Sequence, residues 1–302
     1  MNGILNILKP PGMTSFDVVA YIRGLTRTKK VGHTGTLDPL ATGVLTVCAG
    51  NATGAIEFLV EKDKLYRAEL TLGVATDTQD SAGTVLSEAP VNSTDGQIAE
   101  AIHSFIGAYD QLPPMYSAIR QNGKKLYELA REGVSVDRAP RRVEIYSAEV
   151  IKISRDGRGA GKVLFDVHCS KGTYIRTLCA DIGDRLGCGG HMSFLLRKRA
   201  GAFTLEEALT LEELKILAED GRLEEAMLDA EAAFGGIEAV TLDEAREKRF
   251  LNGVRFAVGC GRELRGPVRV YGSNGRFLAL GELYDSDGEC ILRSRKFFDG
   301  RI

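Results

Sequence analysis

Residues 31–45 read VGHTGTLDPLATGVL and contain one carboxylate, Asp38. Pro39 and Gly43 follow it, and neither suits an uninterrupted helix or a central strand, so we expect Asp38 to lie on a loop. The next residues, 44–48, predict a buried strand. A loop fixed by a core strand suits a catalytic acid, because the strand holds the side chain in place. From composition alone, an Asx-turn or a helix cap is the simpler interpretation of this carboxylate.

The chain has 302 residues, with 44% hydrophobic and 26% charged residues, which is typical of a globular protein of about two domains. No apolar run reaches the roughly 18 residues of a membrane span, and the first residues do not resemble a signal peptide. Six cysteines form no CxxC pair. We therefore expect reduced thiols, a cytoplasmic location and no contact with membranes.

The net charge of −2 conceals an asymmetry along the chain. Residues 204–232 contain ten acidic residues against Lys215 and Arg222, so this segment carries −8 and the remainder +6. Basic clusters lie in that remainder, at 29–30, 124–125, 138–142 and 197–199. They fit either a phosphate-binding surface or ordinary solvated faces.

The apolar periodicity predicts an α+β fold followed by a small β-rich unit. Predicted strands are 4–8, 44–48, 64–73, 144–154, 162–169, 268–271, 277–284 and 290–293. Predicted helices are 14–25, 95–106, 125–132, 174–186, 205–209, 211–218, 223–234 and 242–252. A Gly-rich turn is expected at 156–161, and a domain boundary near Gly235.

Several common catalytic and cofactor motifs are absent from the sequence. The glycines near Asp38 are not followed by GK[ST], and no GxGxxG or GxSxG occurs. Cys188-Gly-Gly-His191 lacks a second pair of ligands, so we expect no metal site.

Four separated stretches resemble the TruB-type tRNA pseudouridine synthases. They are 32–45 around Asp38, 64–80 with its tyrosine strand, 111–127 and 170–178 with its arginine. Lys9-Pro10 and residues 196–203 match the family's first and last motifs. The resemblance covers about the first 205 residues, in the family's order.

The resemblance implies a pseudouridine-synthase fold with a mixed, mostly antiparallel central sheet flanked by helices and loops. It implies a catalytic domain over 1–235, with an RNA-gripping thumb at 111–142, and a PUA-like RNA-binding domain over 236–302. It also implies the isomerisation of uridine 55 in the T-loop of tRNA, which needs no cofactor and no metal. The expected partner is the T-arm of tRNA, bound by a monomer.

The resemblance also assigns roles around the reacting nucleoside. Asp38 would attack carbon or stabilise positive charge on the sugar, and Arg176 would pair with it. Tyr66 would lie against the uracil and carry a proton. The expected supporting residues are Leu196 on the other face of the base, Lys9 as a brace, Tyr174 as a contact, and His33 in the space that the flipped base leaves.

The thumb is rich in cations that suit phosphate contacts. The residues expected to bind RNA there are Arg120, where the family commonly has lysine, Lys124, Lys125, Arg141 and Arg142. A tRNA-binding folding chaperone in which catalysis is secondary needs the same thumb, but it does not need Asp38. A synthase acting on rRNA is a third hypothesis, which the thumb segment disfavours.

Overall fold

The structure is a computed structural model that describes residues 1–121, 123–155, 161–259 and 265–298. The strands are β1 Gly3–Lys9, β2 Val31–His33, β3 Thr42–Ala49, β4 Lys64–Leu72, β5 Val74–Thr76, β6 Val85–Glu88, β7 Gly107–Gln111, β8 Arg120–Gln121, β9 Lys124–Lys125, β10 Arg141–Arg155, β11 Gly161–Cys169, β12 Gly190–Ala200, β13 Phe203–Thr204, β14 Ala239–Thr241, β15 Phe256–Ala257, β16 Gly266–Tyr271, β17 Phe277–Ser286 and β18 Glu289–Phe297. The α-helices are α1 Ser15–Thr26, α2 Ile56–Leu59, α3 Asp95–His103, α4 Leu126–Arg131, α5 Ile175–Arg185, α6 Leu211–Glu219 and α7 Glu244–Leu251. Short 3-10 helices occupy Gly50–Ala55, Leu223–Ala226 and Ala230–Phe234.

A mixed sheet forms the centre of the molecule, in the order β1-β3-β12-β4-β11-β10-β7, with β2 beside β3 and β13 beside β12. Among these described strands only β3 and β12 pair in parallel; the other neighbours are antiparallel. The predicted α+β class and mostly antiparallel central sheet are confirmed.

Strand β4 shows why the sequence folds this way. Its residues alternate strictly between buried and half-buried, as expected for a strand with one face on a core. Tyr66, Ala68 and Leu70 share their buried face with residues of β11 and with helix α5, whose Ile175 and Leu178 belong to the same apolar cluster. Full burial of each large apolar side chain contributes about 1.5–3 kcal/mol.

Helix α1 covers the other end of the sheet. Thr14 caps it: the Asp17 backbone N–H donates to Thr14 Oγ1 at 3.1 Å, and the Thr14 N–H donates to Asp17 Oδ2 at 2.8 Å. Val18 and Ile22 pack on β1 and β3. Asp38 lies on the loop between β2 and β3, which pair with each other, so both ends of the loop are held by the sheet on which α1 packs.

A second sheet follows Gly235, in the order β14-β16-β17-β18-β15, with its own apolar core and helix α7. The aromatic residues Phe58, Phe234, Phe277 and Phe298 join it to the first unit. The predicted division at 235/236 and the PUA-like identity of this unit stay predictions.

The structure differs from the sequence-based expectations in several places. Strand β12, in the middle of the sheet, was not predicted. Residues 205–209 form turns rather than a helix, and 223–234 form two short 3-10 helices rather than one long one. Cys290 is disulfide-bonded, so the expectation that all six cysteines are reduced is wrong. Of the expected turn at 156–161, residues 156–160 lie outside the described residues. Within the described ranges, no helix has both the length and the apolar character needed to cross a bilayer.

Candidate active site

The loop carrying Asp38 is clamped on both sides of that residue. Ser15 Oγ accepts a hydrogen bond from the Leu37 N–H at 2.8 Å and donates to the Leu37 carbonyl at 3.2 Å. The Pro39 carbonyl accepts from the Gly12 N–H at 2.8 Å. The residues before and after Asp38 are thus both hydrogen-bonded to the β1–α1 segment, and none of these bonds uses the Asp38 carboxylate.

Lys9 braces the same loop from the interior. It is fully buried, and its Nζ donates to the carbonyls of Pro10 at 2.8 Å, Met13 at 2.6 Å and Pro39 at 3.2 Å. Burial lowers the pKa of Lys9 to about 8, against the opposing effect of the Asp38 charge. With all three ammonium donors directed at carbonyls, Lys9 shapes the wall of the site rather than facing a substrate.

Arg176, the second residue of α5, holds the Asp38 carboxylate with both edges of its guanidinium. Nε lies 3.0 Å from Asp38 Oδ2, and Nη2 lies 3.2 Å from Oδ1. This is the paired arrangement that suits a planar guanidinium, and the expected Asp38–Arg176 ion pair is present. The carboxylate accepts no hydrogen bond from a described backbone N–H, so the Asx-turn interpretation does not hold.

The remaining donors of Arg176 are fixed by its surroundings. Nη2 donates to the Tyr116 carbonyl at 2.8 Å, and Nη1 donates to the Thr78 carbonyl at 3.2 Å and lies 3.6 Å from Asp80 Oδ2. The side chain is only 6% exposed. Asp80 is a second carboxylate beside this guanidinium, and nothing in the sequence around it predicts this contact.

Tyr174 is the N-cap residue that precedes α5, and its backbone is held by Gln111 at the end of β7. The Gln111 side chain donates to the Tyr174 carbonyl at 3.0 Å and accepts from its N–H at 2.8 Å. This amide pairing sets where α5 starts and therefore where Arg176 points. The structure thus gives Tyr174 a backbone role in the site, and its predicted contact with substrate stays a prediction.

The Asp38 carboxylate is partly exposed and is also crowded by neighbouring protein atoms. The side chain keeps 34% of its surface exposed. Burial by surrounding atoms nevertheless raises the pKa of the carboxyl, the Arg176 guanidinium opposes this, and the Asp80 charge adds to it. The raised pKa makes the carboxylate a stronger base and nucleophile than one in water, while it stays reachable from outside.

Tyr66 and Arg197 form the floor of the site on neighbouring strands, directly opposite each other. Tyr66 is 8% exposed, and burial raises the pKa of its hydroxyl, an effect that Arg197 partly offsets. Arg197 Nε donates to the Val44 carbonyl at 2.7 Å and Nη2 to the Gly35 carbonyl at 3.0 Å. Arg197 therefore ties both arms of the Asp38 loop to the sheet. Arg197 lies in the basic cluster 197–199, which from the sequence alone predicts a solvated or phosphate-binding surface rather than this buried role.

Leu196 is not brought to this group. In β12 it lies opposite Arg67, whereas Leu195 lies opposite Ala68. Side chains of adjacent strand residues point to opposite faces, and Leu195 belongs to the buried cluster of Leu37 and Tyr66. The expectation for Leu196 is therefore corrected by one residue: Leu195 is the leucine on the active-site face.

His33 lies at the rim of the site, on β2. Its Nδ1 accepts from the Gly35 N–H at 3.2 Å, and its ring meets that of Phe16 with centroids 5.3 Å apart and planes at 78°. Burial and the Arg197 charge lower the pKa of His33. The ring is therefore a neutral imidazole near pH 7, able to stack or to hydrogen-bond.

The thumb consists of β8, β9 and α4 followed by an extended segment that leads into β10. Its cations are tied locally: Arg120 to the Gly123 carbonyl at 3.2 Å, Lys124 to Glu132 at 3.2 Å, Lys125 to the Tyr127 hydroxyl at 3.2 Å, and Arg142 to Asp110 at 3.6 Å. Arg141 is exposed. The Lys124–Glu132 and Arg142–Asp110 ion pairs are exposed, and exposed ion pairs contribute little to stability.

The described residues contain no group of three or more histidine, cysteine or acidic side chains placed to hold a metal ion. Cys188 and His191 have other partners: the thiol donates to the Gly189 carbonyl at 3.4 Å, and His191 Nδ1 lies 2.9 Å from the Val74 carbonyl.

Comparison with known proteins identifies the family. Residues 23–175 match the model of the TruB family pseudouridylate synthase (N terminal domain), and residues 176–234 match that of the tRNA pseudouridylate synthase B C-terminal domain. The tRNA pseudouridine synthase B of Alkaliphilus oremlandii is 54% identical over 256 residues, 85% of this chain and 83% of the relative. That of Clostridium perfringens strain 13 is 47% identical over 287 residues, 93% and 95% of the two chains.

Two solved structures share the fold. One chain comes from an H/ACA RNP bound to a substrate RNA containing 2′-deoxyuridine, with a TM-score of 0.74 and 28% identity over 99% of this chain and 86% of that one. Another comes from a Cbf5-Nop10-Gar1 complex, with a TM-score of 0.73 and 29% identity over 98% and 84% of the two chains.

Proposed function

Since the chain belongs to the TruB family of pseudouridylate synthases, we propose that it isomerises uridine 55 in the T-loop of tRNA to pseudouridine. The observation that carries the proposal is the Asp38 carboxylate, gripped by both edges of the Arg176 guanidinium and still 34% exposed. A buried arginine with this many fixed partners holds one acid in one place, which is what a positioned catalytic group needs.

The reaction exchanges one bond for another within the same nucleoside. The bond from C1′ to N1 breaks, the uracil rotates, C1′ bonds to C5, and the C5 proton leaves while N1 gains one. No atom is added and no electron is supplied from outside. The proposed role of Asp38 is to attack carbon or to stabilise positive charge on the sugar, and both require the ionised form that Arg176 favours.

Tyr66 and Leu195 are the proposed surfaces for the uracil. The raised pKa of the Tyr66 hydroxyl keeps it protonated at neutral pH, so it can pass a proton while its ring lies against the base. Leu195 is buried on the same face of the sheet. We assign to Leu195 the packing role first expected of Leu196.

The target base must leave its stack to reach Asp38, at a cost of a few kcal/mol. We propose that the neutral ring of His33 fills part of the space left behind, and that the thumb cations named above bind the phosphates of the T-arm. We further propose that 1–235 is the catalytic domain and 236–302 a PUA-like RNA-binding domain, and that the protein acts as a monomer in the cytoplasm.

The chaperone hypothesis accounts for the basic thumb, but it assigns no role to the Asp38–Arg176 ion pair. The geometry of that pair therefore favours the enzyme hypothesis over the chaperone hypothesis. Purified protein incubated with unmodified tRNA, followed by carbodiimide mapping of pseudouridine, tests the proposal. We expect one new modification, at uridine 55, in both tRNA and an isolated T-arm stem-loop. Modification of rRNA fragments with the T-arm left unchanged would favour the third hypothesis, and binding without any conversion would favour the chaperone.

A further inference from the structure

Phe16 is a highly exposed aromatic side chain near the start of α1. It is the most exposed of the twelve phenylalanines, at 66%. On α1, Ser15, Val18 and Val19 are buried, whereas Asp17 and Ala20 share the solvent face with Phe16. Single exposed apolar side chains are common on protein surfaces, so a partner for Phe16 is inferred from where the side chain lies.

Its position identifies where that partner is. The preceding residue, Ser15, bonds both backbone groups of Leu37, which puts Phe16 next to the Asp38 loop. Its ring contacts His33 on the opposite strand of the rim. An RNA loop that delivers a nucleoside to Asp38 therefore passes this ring.

The angle between the Phe16 and His33 rings suits an RNA segment whose bases are not stacked on one another. At 78° the planes of Phe16 and His33 are nearly perpendicular, so bases lying on both rings are not parallel to each other. Bases in a duplex are stacked in parallel, whereas bases of an opened loop are splayed and stack individually on aromatic side chains. The corner that the two rings form fits unstacked nucleotides.

We propose that Phe16 is a nucleobase-binding site: its exposed face stacks on a T-loop base other than the target, one that extrusion of the uridine leaves uncovered. The inference depends on the proposed function. It assigns to Phe16 the task of recovering part of the stacking lost on base flipping. Stacking on an aromatic side chain tolerates any base, so this site would bind an opened loop regardless of the identity of the stacked base.

Steady-state kinetics on a T-arm stem-loop test this inference with Phe16→Ala, Phe16→Tyr and a matched control, Ile216→Ala. Ile216 is 58% exposed on the acidic helix α6. We expect kcat/KM to fall about tenfold in Phe16→Ala, equivalent to about 1.4 kcal/mol, and to stay within twofold of wild type in the other two variants. Because Phe16 is uncharged, the slope of log kcat/KM against log salt should not change.

Stem-loops with a single abasic nucleotide at each loop position identify the partner base. One of them should lower wild-type kcat/KM while removing the difference between wild type and Phe16→Ala, since the stacking partner is then already absent. A Phe16→Ala difference that is absent from intact RNA, or equal on every abasic RNA, overturns the inference while the proposed function stands. A wild-type chain that converts no T-arm overturns both.

Discussion

Replacing Arg176 with lysine keeps the positive charge but removes the planar guanidinium that contacts Asp38 through two nitrogens. The guanidinium makes two contacts with Asp38, at 3.0 and 3.2 Å, and also donates to the carbonyls of Tyr116 and Thr78. A single ammonium keeps at most one of the two carboxylate contacts and cannot reach all the others.

The expected loss follows from these contacts. A hydrogen bond to a charged group contributes about 1.5–3 kcal/mol, so the loss of one Asp38 contact corresponds to a factor of roughly 10 to 150. Displacement of the carboxylate by about 1 Å carries a similar cost of about 10²-fold. We therefore expect kcat/KM on T-arm RNA to fall by about two orders of magnitude in Arg176→Lys, mainly through kcat.

Arg67→Lys is the matched control. Arg67 also grips one carboxylate with two nitrogens, Nε to Asp166 Oδ1 at 2.7 Å and Nη2 to Oδ2 at 2.9 Å, but on the other face of the same sheet. It should keep kcat/KM within twofold of wild type. An Arg176→Lys enzyme within threefold of wild type, or an equal loss in Arg67→Lys, would refute the claim that this guanidinium positions Asp38.

Three further outcomes are expected. Because the raised pKa of Asp38 lies above 3.8 and the ionised form is required, kcat/KM should fall as pH drops through that raised pKa. Arg176 lowers the pKa of Asp38, so in Arg176→Gln the fall in kcat/KM should begin at a higher pH. A pH profile that is the same in the variant and in wild type contradicts the assignment. Leu195→Ala should lower the free energy of urea unfolding by about 2–5 kcal/mol and lower kcat/KM, whereas Leu196→Ala should do much less of both; the reverse order contradicts the assigned faces of β12. Replacing both thumb arginines at the start of β10 with alanine should reduce the salt slope of kcat/KM by about 1.4–1.8, and an unchanged slope would remove them from the RNA surface.

The sequence predicted those parts of the fold that local patterns determine. The alternation in β4 and the capped amphipathic helix α1 depend on neighbours along the chain, and both appear nearly where expected. Strand β12 was missed because its pairing with β3 and β4 is a long-range property, and its Leu195-Leu196-Arg197 run does not alternate in hydrophobicity. In the acidic segment after residue 204, the predicted helix at 211–218 is present as α6, whereas 205–209 and 223–234, which have helical composition, form turns and short 3-10 helices.

The same distinction applies to the site. Asp38 and Arg176 were paired through a resemblance of motifs, and their contact across 138 residues is present. Asp80 and Arg197 were not foreseen, because nothing local distinguishes a buried charge with a specific partner from a solvated one. The shift from Leu196 to Leu195 has a similar cause: a motif fixes a residue to within one position, but only strand pairing decides which face it occupies.

Single-turnover conversion of T-arm RNA by Asp38→Asn tests the central claim most directly, because the amide keeps the shape of the side chain and removes its charge. We predict no detectable pseudouridine over a time in which wild type completes the reaction, with tRNA binding within about threefold of wild type, since Asp38 is one contact among the many that hold the RNA. Conversion at the wild-type rate would contradict the assignment of the chemistry to this carboxylate.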